Sequence, residues 1–167
     1  MSDAIAIRTD LRPGDLGRII ALHGTAYIDA DHHFGIAFEA FVAGTVSRFI
    51  LEDGGRGRVW LAERGPDLVG CAAMIERPGE DGETRGQLRW VLADASVRGT
   101  GLGGRLVRAA VDHAREQGWR EVFLETTEGL DASMGLYRKL GFTEKARAVE
   151  RMWDGEMLVI TMTLPLR

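Results

Sequence analysis

One stretch of this sequence places residue types at a spacing that can do chemistry: Val97-Arg98-Gly99-Thr100-Gly101-Leu102-Gly103-Gly104-Arg105. Glycines let the backbone fold tightly and turn several amides toward one point. An amphipathic stretch follows at once, and a helix starting there adds its free N–H groups and its positive dipole end. Together these form an anion site suited to a pyrophosphate. Charge agrees, because residues 98–120 hold Arg98, Arg105, Arg108, Arg115 and Arg120 against only Asp112 and Glu116, in a chain of net charge −4. Gly99, Gly101 and Gly104 also spell G-x-G-x-x-G, the dinucleotide fingerprint. That reading fits poorly. Ala95-Ser96-Val97-Arg98 separates the glycines from the preceding strand, which carries Arg85, Gln87, Arg89 and Asp94 where a buried parallel strand would be apolar. Too little chain follows Glu125 for a doubly wound sheet. No Gly-Lys-Ser/Thr follows either, which excludes a P-loop.

Other reactive side chains are less eloquent. His32 and His33 are adjacent and lack spaced partners, so they read as a solvated loop, and no metal is expected. Cys71 is the single cysteine and sits in the apolar run Val69 to Ile75, which predicts an inert core thiol. His23 and Tyr27 lie four apart, on one helix face. Trp60, Trp90, Trp119 and Trp153 read mostly as core or sheet anchors, with Trp90 a candidate to border a site.

The elements that must position these groups follow from periodicity. Residues 4–8 alternate as a short strand. Arg12-Pro13-Gly14-Asp15 opens a helix carrying Leu16, Ile19, Ile20, His23 and Tyr27. A second helix is predicted over 36–52, with Phe38, Phe41, Val42, Thr45, Phe49 and Ile50 on one side, ended by Asp53-Gly54-Gly55. Strands are predicted over 58–63, 67–76 and 85–94 as an antiparallel meander, the last with Leu88, Trp90 and Leu92 on one face. A helix over 101–118, a strand over 121–126, a helix over 131–140 and strands over 143–151 and 156–164 complete the chain, Asp154-Gly155 turning the last hairpin. The order predicts an α/β fold with a single mixed, mostly antiparallel sheet flanked by helices, in one domain over 1–167.

Composition sets the outer bounds. The 167 residues are 45% hydrophobic and 28% charged, which suits a globular domain with its own core. An acidic total disfavours nucleic acid, and no apolar run approaches a membrane span. A start without a basic region or long apolar stretch reads as no secretory signal, and with the lone cysteine this predicts a cytoplasmic protein.

Arg98-Gly99-Thr100-Gly101-Leu102-Gly103 resembles the Gln/Arg-x-x-Gly-x-Gly/Ala loop of GNAT-type N-acetyltransferases. The same family places a tyrosine near the start of a later helix, followed by Gly-Phe, as in Leu136-Tyr137-Arg138-Lys139-Leu140-Gly141-Phe142. The two motifs stand in family order with a strand between them, and the element order of about the whole chain fits as well. The N-terminal part, with Leu11-Arg12-Pro13-Gly14-Asp15-Leu16-Gly17, His23-Gly24, Tyr27 and Phe38-Glu39-Ala40, resembles the acetyltransferase half of bacterial fusions bearing a MarR-type repressor. One departure stands out: where many members have Asn seven residues before the tyrosine, this chain has Leu130.

The resemblance implies acetyl-CoA as donor and an amine as acceptor, a small molecule or a peptide. The amides of Gly99, Gly101, Leu102, Gly103 and Gly104 would hold the pyrophosphate, with Arg98 and Thr100 in the same loop. Val91-Leu92-Ala93 would pair through its backbone with the pantetheine arm, beside a bulge that splays the strand from its neighbour. Acetyl transfer needs a base, an oxyanion donor and a proton or hydrogen bond for the leaving thiolate. Tyr137 would serve the thiolate, the Leu92 N–H the oxyanion, and Glu125 or Glu39 the amine, with Asp94, Gln87 or a water chain as further candidates for the base. His23 and Tyr27 would line the acceptor pocket. Dimers are frequent in the family. A non-catalytic acyl-CoA sensor and a nucleotide-dependent oxidoreductase are the alternative readings.

Overall fold

The computed structural model describes residues 4–27 and 34–167. His32 and His33 lie outside them. Seven strands form one sheet in the order β1-β2-β3-β4-β5-β7-β6, with β1 at Ala6–Arg8, β2 at Gly57–Arg64, β3 at Asp67–Pro78, β4 at Thr84–Ala93, β5 at Glu121–Thr127, β6 at Thr143–Met152 and β7 at Gly155–Pro165. Among the described residues only β4 and β5 run parallel, so the expected mixed, mostly antiparallel sheet is present.

Among the described residues four α-helices cover it: α1 at Asp15–Ala26, α2 at Ile36–Leu51, α3 at Leu102–Glu116 and α4 at Asp131–Lys139. The central strands are apolar on both faces, so two cores form. Val59 and Leu61 of β2 with Cys71, Ala73 and Ile75 of β3 meet Ile19 and Leu22 of α1 and Val42, Val46 and Phe49 of α2. Trp60 and Ala62, with Ala72 and Met74, turn the other way onto Leu102, Leu106, Val107 and Ala110 of α3. Gly70 permits that second contact, because a Cβ there would lie 2.9 Å from the Leu102 side chain.

An ion cluster anchors β1 to α1. Arg8 grips the buried Asp15 carboxylate through Nη1 at 2.9 Å and Nη2 at 2.7 Å, and reaches Glu63 of β2 at 3.0 Å. At the opposite edge, β6 is exposed along nearly its whole length. Its lysine, arginines and glutamates discourage edge pairing.

One sequence expectation fails for an instructive reason. Leu88 faces α3, whereas Trp90 and Leu92 face α2. The β3–β4 register slips between Cys71 and Ala73, and Trp90 takes a φ of +51°. This bulge inserts one residue and reverses the alternation after it. The last hairpin also differs slightly: Met152 pairs with Gly155, so the two loop residues are Trp153 and Asp154.

Candidate active site

The parallel pairing of β4 and β5 stops early. Its rungs are Gly86↔Val122 and Gln87↔Phe123, after which the strands part. Beyond that point β4 stays bonded to β3 and β5 to β7, so each keeps one free edge facing a slot. The register says which amides face it. Asp94 N–H donates to the Val69 carbonyl at 2.8 Å, which makes Leu92 and Cys71 the next hydrogen-bonded pair of the antiparallel ladder. The Leu92 N–H is therefore turned toward β3, and those of Val91 and Ala93 face the slot. This corrects the expectation that Leu92 supplies the oxyanion donor.

At the slot's mouth, a single 3-10 turn at Ala95–Val97 leads into the glycine loop, with the Asp94 carboxylate accepting from Ser96 N–H at 2.8 Å. Gly101 caps α3 at a φ of +78°, and Gly99 has the same value. A side chain at either position would enter open space. The first α3 amide with a backbone acceptor is Arg105, which donates to Gly101. The amides of Gly99, Gly101, Leu102, Gly103 and Gly104 have no acceptor among the described residues. Five open amides thus stand within six consecutive residues of the loop. The Arg108 guanidinium lies beside it, within 3.1 Å of where a Gly104 Cβ would stand. Arg98 is exposed nearby. Thr100 acts differently: its N–H and its hydroxyl both go to the Val97 carbonyl, at 3.3 and 2.6 Å, so it braces the turn.

On the α1/α2 side the slot widens into an open cleft of about 950 Å³. Glu125, Tyr137, His23, Tyr27 and Val91 all line it. Tyr137 packs against Phe142 and is nearly fully buried, and burial pushes its phenol above the ordinary range. A phenol so placed keeps its proton at neutral pH. Burial also raises Tyr27, and it lowers His23, whose Nδ1–H donates to the Ile19 carbonyl at 2.8 Å. His23 is accordingly neutral, with Nε2 as acceptor.

Glu39 does not reach the cleft wall. Its carboxyl lies against α1, where a Gly24 Cβ would meet it at 2.8 Å. Leu130 lines the cleft with an apolar side chain and gives α4 no side-chain cap. Sequence reasoning missed several lining residues. Phe38, Phe41 and Trp153 form one wall, with Trp153 ring centroids 4.9 Å from each phenylalanine, so this tryptophan is a cleft wall and not a sheet anchor. Thr126 and Thr127 line the slot with buried hydroxyls that have no partner among the described residues. Arg89 lines it too. Apart from Phe38, in the Phe38-Glu39-Ala40 stretch, none of these carries a local motif.

The acetyltransferase (GNAT) family matches residues 25–142. A glucosamine 6-phosphate N-acetyltransferase of Oryza sativa subsp. japonica is 36% identical over 138 residues, 81% of this chain and 77% of that protein. N-acetyltransferase 8B of Homo sapiens is 35% identical over 97 residues, and the match spans only 42% of its length. Among solved structures, an acetyltransferase of Salmonella typhimurium with its cofactor acetyl-CoA superposes with a TM-score of 0.73 over 98% of this chain and 95% of that one, at 19% identity.

This chain belongs to the GNAT acetyltransferase family. Acetyl-CoA is the acyl donor of that family. The residues present fit it: an open amide cradle for the diphosphate, free strand edges for the arm, and unpartnered buried hydroxyls beside them. No helix among the described residues is long and apolar enough to cross a membrane.

Proposed function

We propose that the chain transfers an acetyl group from acetyl-CoA to a primary amine held in the α1/α2 cleft. The order of features along the parted strands supports this reading: the open amides of Gly99–Gly104 follow the end of β4, and Arg89 and Val91 of β4 line one cleft with Glu125 of β5. When bound, acetyl-CoA supplies an activated acyl thioester. The amides of Gly99, Gly101, Leu102, Gly103 and Gly104 hold the diphosphate, helped by Arg98 and Arg108. Val91 and Ala93 offer backbone groups to the arm, and the Thr126 hydroxyl has a hydrogen bond to give. The Val91 N–H, next to the bulge, stabilises negative charge on the acyl oxygen.

Glu125 accepts the proton that the amine sheds, directly or through water. Tyr137 holds a proton against the departing sulfur. As the C–N bond forms and the C–S bond breaks, one proton leaves nitrogen for the Glu125 side and one hydrogen bond from Tyr137 meets the thiolate. His23 and Tyr27 shape the acceptor end. A cytoplasmic location, a dimer and a kinship with MarR-type fusions belong to this reading as consequences of the resemblance.

The test is release of free CoA thiol from acetyl-CoA in the presence of a panel of amines. Amine-dependent release is expected. Failure to bind CoA at millimolar concentration in a calorimeter would sink the reading.

A further inference from the structure

We infer that the acceptor carries an anionic group beside its amine, and that Arg89 is the residue that selects it. This rests on the acetyl-transfer reading above and names the acceptor class for the same cleft. Arg89 and Glu125 each stand two residues beyond the last β4–β5 rung, Gln87↔Phe123. Arg89 pairs with Ala73, which faces α1 and α2, and Leu124 of β5 turns toward α3. Both side chains therefore project on the α1/α2 face, from opposite banks of the slot.

Arg89 is half-buried and has no hydrogen bond or ion pair among the described residues, and the same holds for the exposed Glu125. The two do not pair with each other. Neighbouring charges are already engaged: Arg77 holds Asp53 at 2.7 Å and Gln87 at 2.9 Å, and Arg48 reaches Glu52 at 3.5 Å. Burial works against the Arg89 charge, and Glu125 only partly offsets it. A guanidinium does not shed its proton, and an unpaired buried charge is costly. Its planar fork matches a carboxylate or a phosphate. An acceptor spanning the slot would set its amine at Glu125, its anion at Arg89 and its apolar body against Phe38, Phe41 and Trp153.

The experiment measures thiol release for matched pairs: an amino acid against its amide, and a phosphorylated amino sugar against the plain one. In at least one pair we expect the anionic member to show kcat/KM about 10-fold higher or more, mostly through KM, since a charged contact is worth at least that factor. Arg89→Gln should collapse that advantage toward unity, and Arg89→Lys should keep part of it. Calorimetric binding of the preferred amine to the CoA-loaded protein should weaken in parallel, while CoA affinity and melting temperature identify any variant that has merely misfolded. Preference within the first pair points to a carboxylate, within the second to a phosphate. CoA binding with no anion preference, in turnover or in calorimetry, overturns the inference alone. Absence of CoA binding overturns the acetyl-transfer reading instead.

Discussion

The Cys71 thiol donates a hydrogen bond to the Trp90 carbonyl, 3.0 Å away, across the β3–β4 bulge. Trp90 is the one non-glycine residue among those described with a positive φ. Such a conformation costs on the order of 1–3 kcal/mol and persists only where its surroundings hold it. Three contacts do so: the thiol, the Thr45 hydroxyl that accepts the indole N–H at 3.0 Å, and the Phe49 ring at 5.6 Å. The bulge in turn directs the Val91 and Ala93 amides into the slot.

Thr45→Val tests that arrangement. It keeps the side-chain shape and removes the acceptor for a buried indole N–H. Denaturant unfolding should show a loss of about 1–3 kcal/mol. Calorimetry should show weaker acetyl-CoA binding as the bulge loosens. Unaltered CoA affinity would mean that the bulge is held without the indole bond.

Tyr137→Phe should keep cofactor affinity and lower kcat by about 10²–10⁴, the usual worth of a positioned proton donor. Steady-state kinetics and calorimetry on the same sample separate the two effects. An unchanged kcat would assign Tyr137 to packing alone. A wild-type protein that binds CoA but turns over no amine would match an acyl-CoA sensor.

Gly101→Val forces a β-branched residue into a φ of +78°, at a strain of roughly 1–2 kcal/mol. Its side chain also enters the open space beside the loop amides, where the proposed diphosphate would lie. The melting temperature should fall modestly while CoA binding disappears. Retained CoA affinity would contradict the placement of the diphosphate.

Asp15 predicts an acid-sensitive tether. The Arg8 guanidinium holds its carboxyl at about 2, below the ordinary 3.8 and against the opposing effect of burial. The folded value lies below the unfolded one, so the stabilisation is complete above about pH 4 and is lost as pH falls toward 2. The gap corresponds to about 2 kcal/mol. Asp15→Asn should thus cost about 2 kcal/mol at pH 7, measured by urea unfolding, and the difference from wild type should shrink below pH 4. A pH-independent difference would show that the carboxylate charge is not what matters.

Cys71 offers a simple check on burial. It is fully buried, and desolvation pushes its thiol up to about 12. A chromogenic disulfide reagent should find no reactive thiol in the native protein at neutral pH and one after unfolding. Rapid native labelling would mean that the β3–β4 region opens readily.

Much of this molecule was legible before any fold was known, because the signals involved are local. The strand and helix boundaries follow from alternation, from 3.6-residue stripes and from glycines such as Gly101 and Gly141, each a property of a few neighbouring residues. The open amides of the glycine loop were legible for the same reason: all five come from six consecutive residues. Tyr137 was reached through the resemblance of its motif, and Cys71 through the apolar run around it.

Tertiary structure alone decided the rest. Alternation cannot survive an inserted residue, so the bulge at Trp90 turned Trp90 and Leu92 to a different face from Leu88 and left the Val91 amide, not that of Leu92, facing the slot. Glu39 resembled a cleft residue until α1 and α2 packed, with Gly24 making room for its carboxyl away from the wall. Arg89, Thr126 and Trp153 line one cleft only because β4 and β5 part after Gln87 and the β6–β7 turn packs on Phe38 and Phe41 of α2. Short-range sterics and hydrogen bonding write the elements into the chain. The cleft arises from contacts between residues tens of positions apart, whose side-chain directions are set by register and packing.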